Sequence, residues 1–231
     1  MAEGVDCVSL LESGEDTTGH ALIQVCGNSG ENSILLFPGA NFKNTRQEMI
    51  HAVNRMEPGD ILLMQNEIND PEFLLQLAAE KKLKIFWNPA PMNDRVENCP
   101  LELVDCLIVN EVEAAQLAHT AFCPDDPESL KRIADCLRQK VCHAEIVITL
   151  GAAGSVYWPA DRLQKPCFVP ACPGPVVDTT AAGDTYLGYL IAEIAAGKDF
   201  TEAMHTASKA AALAVGHAGA IPSIPCRTAL Q

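Results

Sequence analysis

No two of the ten cysteines stand in the C-x-x-C spacing of a zinc or redox site. The six histidines share no ligand spacing with them either, which argues against zinc. The cysteines are scattered and several fall in apolar runs, so reduced, mostly buried thiols in a cytoplasmic protein are expected. Basic residues are also scarce: 16 Lys and Arg against 30 Asp and Glu leave a net charge of -14. Nucleic acid and anionic membrane, which need basic patches, are thereby argued against as main partners. An acidic chain still binds nucleotide phosphates where backbone N–H groups do the local work. No apolar run approaches the length of a membrane span. Glu3 and Asp6 interrupt the N-terminus, so no signal peptide is expected. There is no internal repeat, low-complexity segment or clear linker. What remains is a globular composition, with 231 residues for one large domain or two small ones.

The most informative stretch is Val177-Asp178-Thr179-Thr180-Ala181-Ala182-Gly183-Asp184-Thr185-Tyr186-Leu187-Gly188. A Pro/Gly-rich approach, Pro170 to Pro175, precedes it, and an apolar helical pattern follows. Small residues at Ala181, Ala182 and Gly183 allow a tight turn and leave N–H groups uncovered at a helix N-terminus. There the macrodipole favours negative charge. Such a turn suits a phosphate, or the charge that builds on a phosphoryl group in transfer. Asp184, in the first helical turn, is placed to accept the proton of an attacking hydroxyl. The alternative is that Asp184 is only a helix cap.

Taken in order, residues 1 to 18 are polar and acidic, with a short apolar run at Val8 to Leu11. Ala21 to Cys26 and Ser33 to Phe37 read as a hairpin around Gly27-Asn28-Ser29-Gly30, closed by Gly39-Ala40-Asn41. Thr45 to Met56 has helical periodicity. Pro58-Gly59-Asp60 stops it and launches a strand, Ile61 to Met64. Asp70 as N-cap and Pro71 at the first position open a helix to about Lys82. Strands are expected at Leu83 to Trp87, Asp105 to Val109, Glu145 to Leu150 and Ser155 to Trp158. Gly151 to Gly154 makes a tight turn between the last two. A short helix follows Asn110, and further helices are expected over Pro127 to Gln139, Thr185 to Ala196 and Phe200 to Val215. The repeated alternation of helix and strand predicts a parallel sheet covered by helices on both faces. In such sheets ligands lie beyond the carboxyl ends of the strands. Glu67, Asn88, Asn110 and Gly151 all fall at such ends.

Together these segments resemble the ribokinase (phosphofructokinase-B) family of carbohydrate kinases, which also holds adenosine kinase and fructokinase. The resemblance runs from about Thr18 to Arg227. It is carried by Thr18-Gly19-His20-Ala21-Leu22-Ile23, Gly30-Glu31-Asn32, Gly39-Ala40-Asn41 and Met64-Gln65-Asn66-Glu67. It continues through Asn88-Pro89-Ala90-Pro91, Asn110-Glu111-Val112-Glu113 and Thr149-Leu150-Gly151-Ala152-Ala153-Gly154. The stretch Asp178 to Asp184 and then Gly219-Ala220-Ile221-Pro222-Ser223 complete it. It implies a single ribokinase-like α/β domain: lid strands over about 5–40, and a nucleotide-binding core over about 41–231.

The resemblance also implies roles. Asp184 is the base that takes the proton of the sugar's terminal hydroxyl, and Ala181, Ala182 and Gly183 supply the anion hole. Asn110 and Glu113 match the N-x-x-E motif that positions Mg²⁺ and the phosphates of ATP through water. A cap Asn with an acidic first turn is the alternative reading of that pair. Thr149, Leu150, Gly151, Ala152, Ala153 and Gly154 form the loop along the nucleotide, or else a plain hairpin turn. Ser208 lies where the family has a polar residue near the adenine, a helix-surface serine being the alternative. Asp178, Thr180, Ala214, His217, Gly219 and Ser223 match positions that hold a monovalent cation, usually K⁺, with His217 giving only its backbone. Glu67 matches a sugar-contacting carboxylate, a solvated loop acid being the alternative. The implied partner is a small sugar, and two chains pair through the lid strands as a homodimer.

The match covers only the later part of the family pattern. The first βαβ region, with a sugar-binding Asp and a Gly-Gly motif, has no counterpart here. Val5 to Leu11 matches the lid strand that follows that region, and the family's last helix has no match after Arg227. These departures lead to the expectation of an N-terminally shortened form. Three functions follow: an ATP-dependent ribokinase, a catalytically impaired remnant that binds nucleotide or a partner chain, or a kinase for another sugar or nucleoside.

Overall fold

The computed structural model describes residues 4–25, 32–126 and 128–230. The expected turn at Gly27 to Gly30, the Gly30-Glu31 part of one matching segment, and Pro127 lie outside them. The chain forms two compact units. One holds the residues through Ile85 together with Pro89–Leu103; the other holds Phe86–Asn88 and the residues from Val104 onward.

In the first unit, β1 (His20–Val25) and β2 (Asn32–Phe37) pair antiparallel, from His20 opposite Phe37 to Val25 opposite Asn32. Gly39, at φ 51°, makes the exit turn. A Cβ there would stand 2.2 Å from the Thr17 carbonyl, so only glycine fits. Helix α1 (Arg46–Asn54) starts at a capping box: Thr45 accepts the Glu48 N–H, and Glu48 accepts the Thr45 N–H at 2.7 Å. Strand β3 (Ile61–Met64) follows, then α2 (Pro71–Glu80) and the start of β4 (Lys84–Trp87), its neighbour in the sheet. Asp70 occupies the N-cap position of α2 but makes no side-chain cap; it sits in the left-handed region at φ 50°. Its carboxylate accepts from Arg46 Nε at 3.1 Å instead. Val5 to Leu11 is not a strand. Leu10 N–H closes a turn on the Cys7 carbonyl, and Val5, Val8, Leu10 and Leu11 are exposed, with no sheet partner among the described residues to hold them extended. A four-residue helix, α3 (Asp94–Glu97), capped by Asn93, completes the unit.

In the second unit, Phe86 and Trp87 of β4 pair parallel with β5 (Cys106–Asn110), which pairs parallel with β6 (Glu145–Thr149). Strands β7 (Gly154–Trp158) and β8 (Cys167–Pro170) then add antiparallel. Among the described residues the sheet, counted through its hydrogen-bonded neighbours β3 to β8, has six strands and is mixed, not wholly parallel. The turn Gly151 to Gly154 reverses the chain directly, where a parallel neighbour needs a crossover. The central strands are continuous apolar runs, with Leu107, Ile146 and Ile148 fully buried. Helices α4 (Glu111–Leu117), α5 (Ser129–Lys140), α6 (Ala182–Ala195) and α7 (Phe200–Val215) belong to this unit. Tyr157 of β7 stacks on Phe200 of α7 at 4.6 Å, and its hydroxyl donates to Glu145 at 2.7 Å.

Among the described residues no helix is long and apolar enough to cross a membrane. The nine described cysteines are free thiols, but only Cys99 and Cys106 are buried; Cys123, Cys142 and Cys226 are exposed. The expectation of mostly buried thiols is corrected: the exposed three lie in loops and turns, outside the strands and helices that form the core.

Candidate active site

The head of α6 carries no side-chain cap. Its N-cap residue is Ala181, held left-handed at φ 60°, ψ 12°. Ala182 N–H donates to the Thr179 carbonyl at 3.2 Å, and Thr185 N–H returns to the Ala181 carbonyl at 2.9 Å. The first N–H groups of a helix lack intrahelical acceptors, so the backbone at this turn can present donors to an approaching group. Gly183 is exposed, and a Cβ placed on it would meet nothing within 4 Å. Packing therefore does not require glycine there; bare backbone open to an approaching group is the feature it supplies. Asp184 is exposed in the same turn, while Thr185, Tyr186 and Leu187 are buried and fix the helix against the core.

The residues before this turn tie it to the end of α7. Val177 and Asp178 N–H both donate to the Val215 carbonyl, at 2.7 and 3.1 Å. Asp178 Oδ1 accepts the Thr180 N–H and Oδ2 accepts the Gly219 N–H, both at 2.9 Å. Hydrogen bonds from the Thr180 side chain, then from the Gly219 and Thr180 backbone, hold the Asp178 carboxyl below its ordinary range. The fold thus gathers Asp178 and Thr180 with the 214–223 segment. Ala214, buried, offers its carbonyl to the Gly216 and His217 N–H groups. The exposed His217 ring turns to the Leu213 carbonyl at 3.0 Å. Ser223 is buried and donates to the Ala220 carbonyl at 2.7 Å, and Gly219 takes φ 90°. Carboxylate and carbonyl oxygens of this kind suit a hard, weakly hydrated cation.

The β6–β7 turn is closed by Leu150 N–H to the Gly154 carbonyl at 2.8 Å. Gly151 (φ 53°), Ala152 and Ala153 form one exposed 3₁₀ turn after Thr149. Gly154, at φ 120°, packs so closely on β8 that a Cβ would lie 2.2 Å from the Val169 carbonyl. Ser208 of α7 is buried, not on the helix surface. It donates to the Pro170 carbonyl at 3.2 Å and accepts the Cys172 N–H at 3.1 Å, fixing the chain that leads out of β8.

At the carboxyl end of β5, Asn110 and Glu113 form a capping box on α4. Asn88 joins them: its amide donates to the Ile108 carbonyl at 2.9 Å and its side chain also reaches Glu113. Burial pushes the Glu113 carboxyl above its ordinary range, against the opposing hydrogen bonds from Asn110 and Asn88. A carboxylate beside two amides is a fitting oxygen set for a hydrated Mg²⁺, which keeps several of its own waters.

Glu67 lies in the first unit, exposed in the loop after β3. Its neighbour Asn66 is buried and joins that loop to the one after β4: the Asn66 N–H donates to the Ala90 carbonyl and Nδ2 to the Pro91 carbonyl, each at 2.8 Å. Sequence reasoning missed this tie, and also the buried Ser155–Tyr186 hydrogen bond in the second unit.

An open helix head with an acidic first turn, carried on a mixed α/β sheet, is the kind of arrangement that suits phosphoryl transfer. The profile of the pfkB family of carbohydrate kinases matches residues 1–227, and the chain belongs to that family. Among curated relatives it is similar to the ribokinase of Schizosaccharomyces pombe: 34% identical over 96% of this chain and 70% of that one. The ribokinase of Haemophilus influenzae is 33% identical over 97% of this chain and 72% of that one. Among solved structures, Arabidopsis thaliana ribokinase complexed with ribose and ATP superposes with a TM-score of 0.75 at 27% identity. That match covers 94% of this chain and 69% of the other. The fold is ribokinase-like.

Proposed function

We propose that this chain is a ribokinase-type sugar kinase, which transfers the terminal phosphoryl group of ATP to D-ribose, giving D-ribose 5-phosphate and ADP. The observation that carries the reading is the uncapped head of α6, with an exposed carboxylate in its first turn. Asp184 takes the proton of the sugar's terminal hydroxyl as that oxygen attacks the terminal phosphorus. The bond to the bridging oxygen breaks and ADP leaves. The N–H groups of the 181–184 turn face the charge on the moving phosphoryl group, where positioning and electrostatics do most of the work.

The rest of the nucleotide runs along Thr149 to Gly154, with Ser208 shaping the wall on the adenine side. Asn110 and Glu113 would hold Mg²⁺ through water; when bound, it neutralises phosphate charge. Asp178, Thr180, Ala214, His217, Gly219 and Ser223 would hold K⁺ through oxygen atoms, His217 by its backbone. Glu67 contacts the sugar. The apolar face of the β1–β2 hairpin pairs two chains as a homodimer. The similarity to ribokinases, one of them solved with ribose and ATP, supports this acceptor over other sugars or nucleosides.

The test is ADP formation by the purified chain with Mg²⁺-ATP and K⁺, with and without D-ribose. Ribose-dependent turnover is expected. A folded chain that binds ATP without turnover would instead be a nucleotide-binding remnant.

A further inference from the structure

Two hydroxyl groups are buried together in the second unit with a hydrogen bond of 2.7 Å between them: Ser155 Oγ and Tyr186 Oη. Ser155 is 1% exposed and Tyr186 6%. Neither is needed for packing, since an aliphatic group and a phenyl ring would fill the same space without polar atoms. Burying hydroxyls is costly unless they are paired, and here each is satisfied by the other. Burial pushes the Tyr186 hydroxyl up to about 12, so it keeps its proton through the neutral range.

The placement of the pair gives it meaning. Ser155 follows Gly154 directly and is held on both sides in the sheet, opposite Thr149 of β6 and Val169 of β8. It therefore moves with the 151–154 turn. Tyr186 stands two residues beyond Asp184 on the same helix. At 3.6 residues per turn, two residues are about 200° apart, so Asp184 faces outward while Tyr186 points inward. The hydrogen bond thus joins the turn at one end of the nucleotide site to the helix head at the other.

We infer that Ser155 and Tyr186 are positioning residues: their hydrogen bond sets the span between the Thr149–Gly154 turn and the Ala181–Asp184 anion-binding turn. This rests on the nucleotide site proposed above. A ligand that reaches both turns gains from a preset span, because ordering is done before binding. A ligand that reaches one turn gains nothing from it.

The experiment is calorimetric titration of the full chain, Ser155→Ala, Tyr186→Phe and the double variant with Mg²⁺-ATP, ADP and adenosine. Each single variant is expected to weaken ATP and ADP binding by about three- to tenfold, the scale of one hydrogen bond. Adenosine, without phosphates, binds as before, and the double variant binds ATP no worse than the weaker single. The KM for D-ribose stays constant while that for ATP rises. Unchanged ATP affinity in both folded single variants, losses that multiply in the double, or equal losses for adenosine would overturn the inference. Either single variant removes the bond, so one poorly folding variant leaves the other to decide. A wild-type chain that binds no nucleotide would overturn the site and the inference together; a wild-type that binds, with variants unchanged, overturns only the inference.

Discussion

Asn110 and Glu113 cap each other. Asn110 Oδ1 accepts the Glu113 N–H at 2.8 Å, and Glu113 Oε2 accepts the Asn110 N–H at 3.0 Å. Of the two sequence readings of this pair, the cap is the one observed; the Mg²⁺ role belongs to the function proposed above. The cap fixes the carboxylate at the end of β5, and a carboxylate fixed there is what a hydrated cation would need.

The raised Glu113 carboxyl makes the cap dependent on pH. Desolvation disfavours its charged form in the folded state, so the folded value lies above the ordinary 4.5. Below 4.5 the group is protonated in both states and there is no penalty. As pH rises through the raised folded value, the folded state bears a cost that the unfolded state does not. Denaturant unfolding from pH 4 to 7 should show wild type losing stability relative to Glu113→Gln as pH rises. A difference independent of pH, or of opposite slope, would contradict this assignment.

Asp178 has the opposite sign. Its carboxyl is held below the ordinary 3.8, so its bonds to Thr180 and Gly219 persist above that value and are lost as pH falls through the lowered one. Asp178→Asn should flatten the acid limb of the stability curve. The same change should remove the stimulation of turnover by K⁺ over a large organic cation. Equal stimulation in the variant would argue against the cation assignment.

Three glycines separate folding from chemistry. Gly154→Ala places a Cβ against the β8 backbone, and should cost roughly 3 kcal/mol or more, or prevent folding. Gly151→Ala meets nothing within 4 Å and bears only the left-handed strain, about 1–2 kcal/mol. Gly183→Ala should keep or gain about 0.5–1 kcal/mol, because alanine is the better helix former. It should nevertheless reduce turnover by covering the approach to the α6 head. Thermal melts beside rate assays distinguish the three, and full activity in Gly183→Ala would count against the anion-hole role.

The hairpin leaves Leu22, Leu35 and Phe37 exposed, Leu35 at 69%. Leu22 and Leu35 are direct cross-strand partners and Phe37 lies two residues on, so they share one face. A two-stranded hairpin is marginal alone, and an apolar face of this kind gains from a cover. Sedimentation of wild type should show a dimer that Leu35→Glu dissociates. A monomeric wild type, or a variant that still dimerises, would refute pairing through this face.

Elements with local signals were legible in the sequence. Ile61–Met64 and Phe200–Val215 match their expected bounds, because turn residues or caps mark their ends. The α6 head was legible from its small residues. Strand β8 was not: four residues ending at Pro170 carry almost no pattern. Helix α3, also four residues, was missed for the same reason. Val5 to Leu11 looked like a strand by resemblance, yet a strand exists only where a partner pairs with it. The Asp70–Arg46 and Ser155–Tyr186 contacts join residues 24 and 31 positions apart, a separation that no periodicity encodes.

The most direct test of the central claim is Asp184→Asn, assayed for ribose-dependent ADP formation beside ATP affinity by calorimetry. Asparagine keeps the shape of the first turn but cannot take the hydroxyl proton. Turnover should fall by about 10²-fold or more, while ATP binds within a few-fold of wild type. Turnover that survives the substitution would show that another group removes the proton, and the assignment of Asp184 as the base would be wrong.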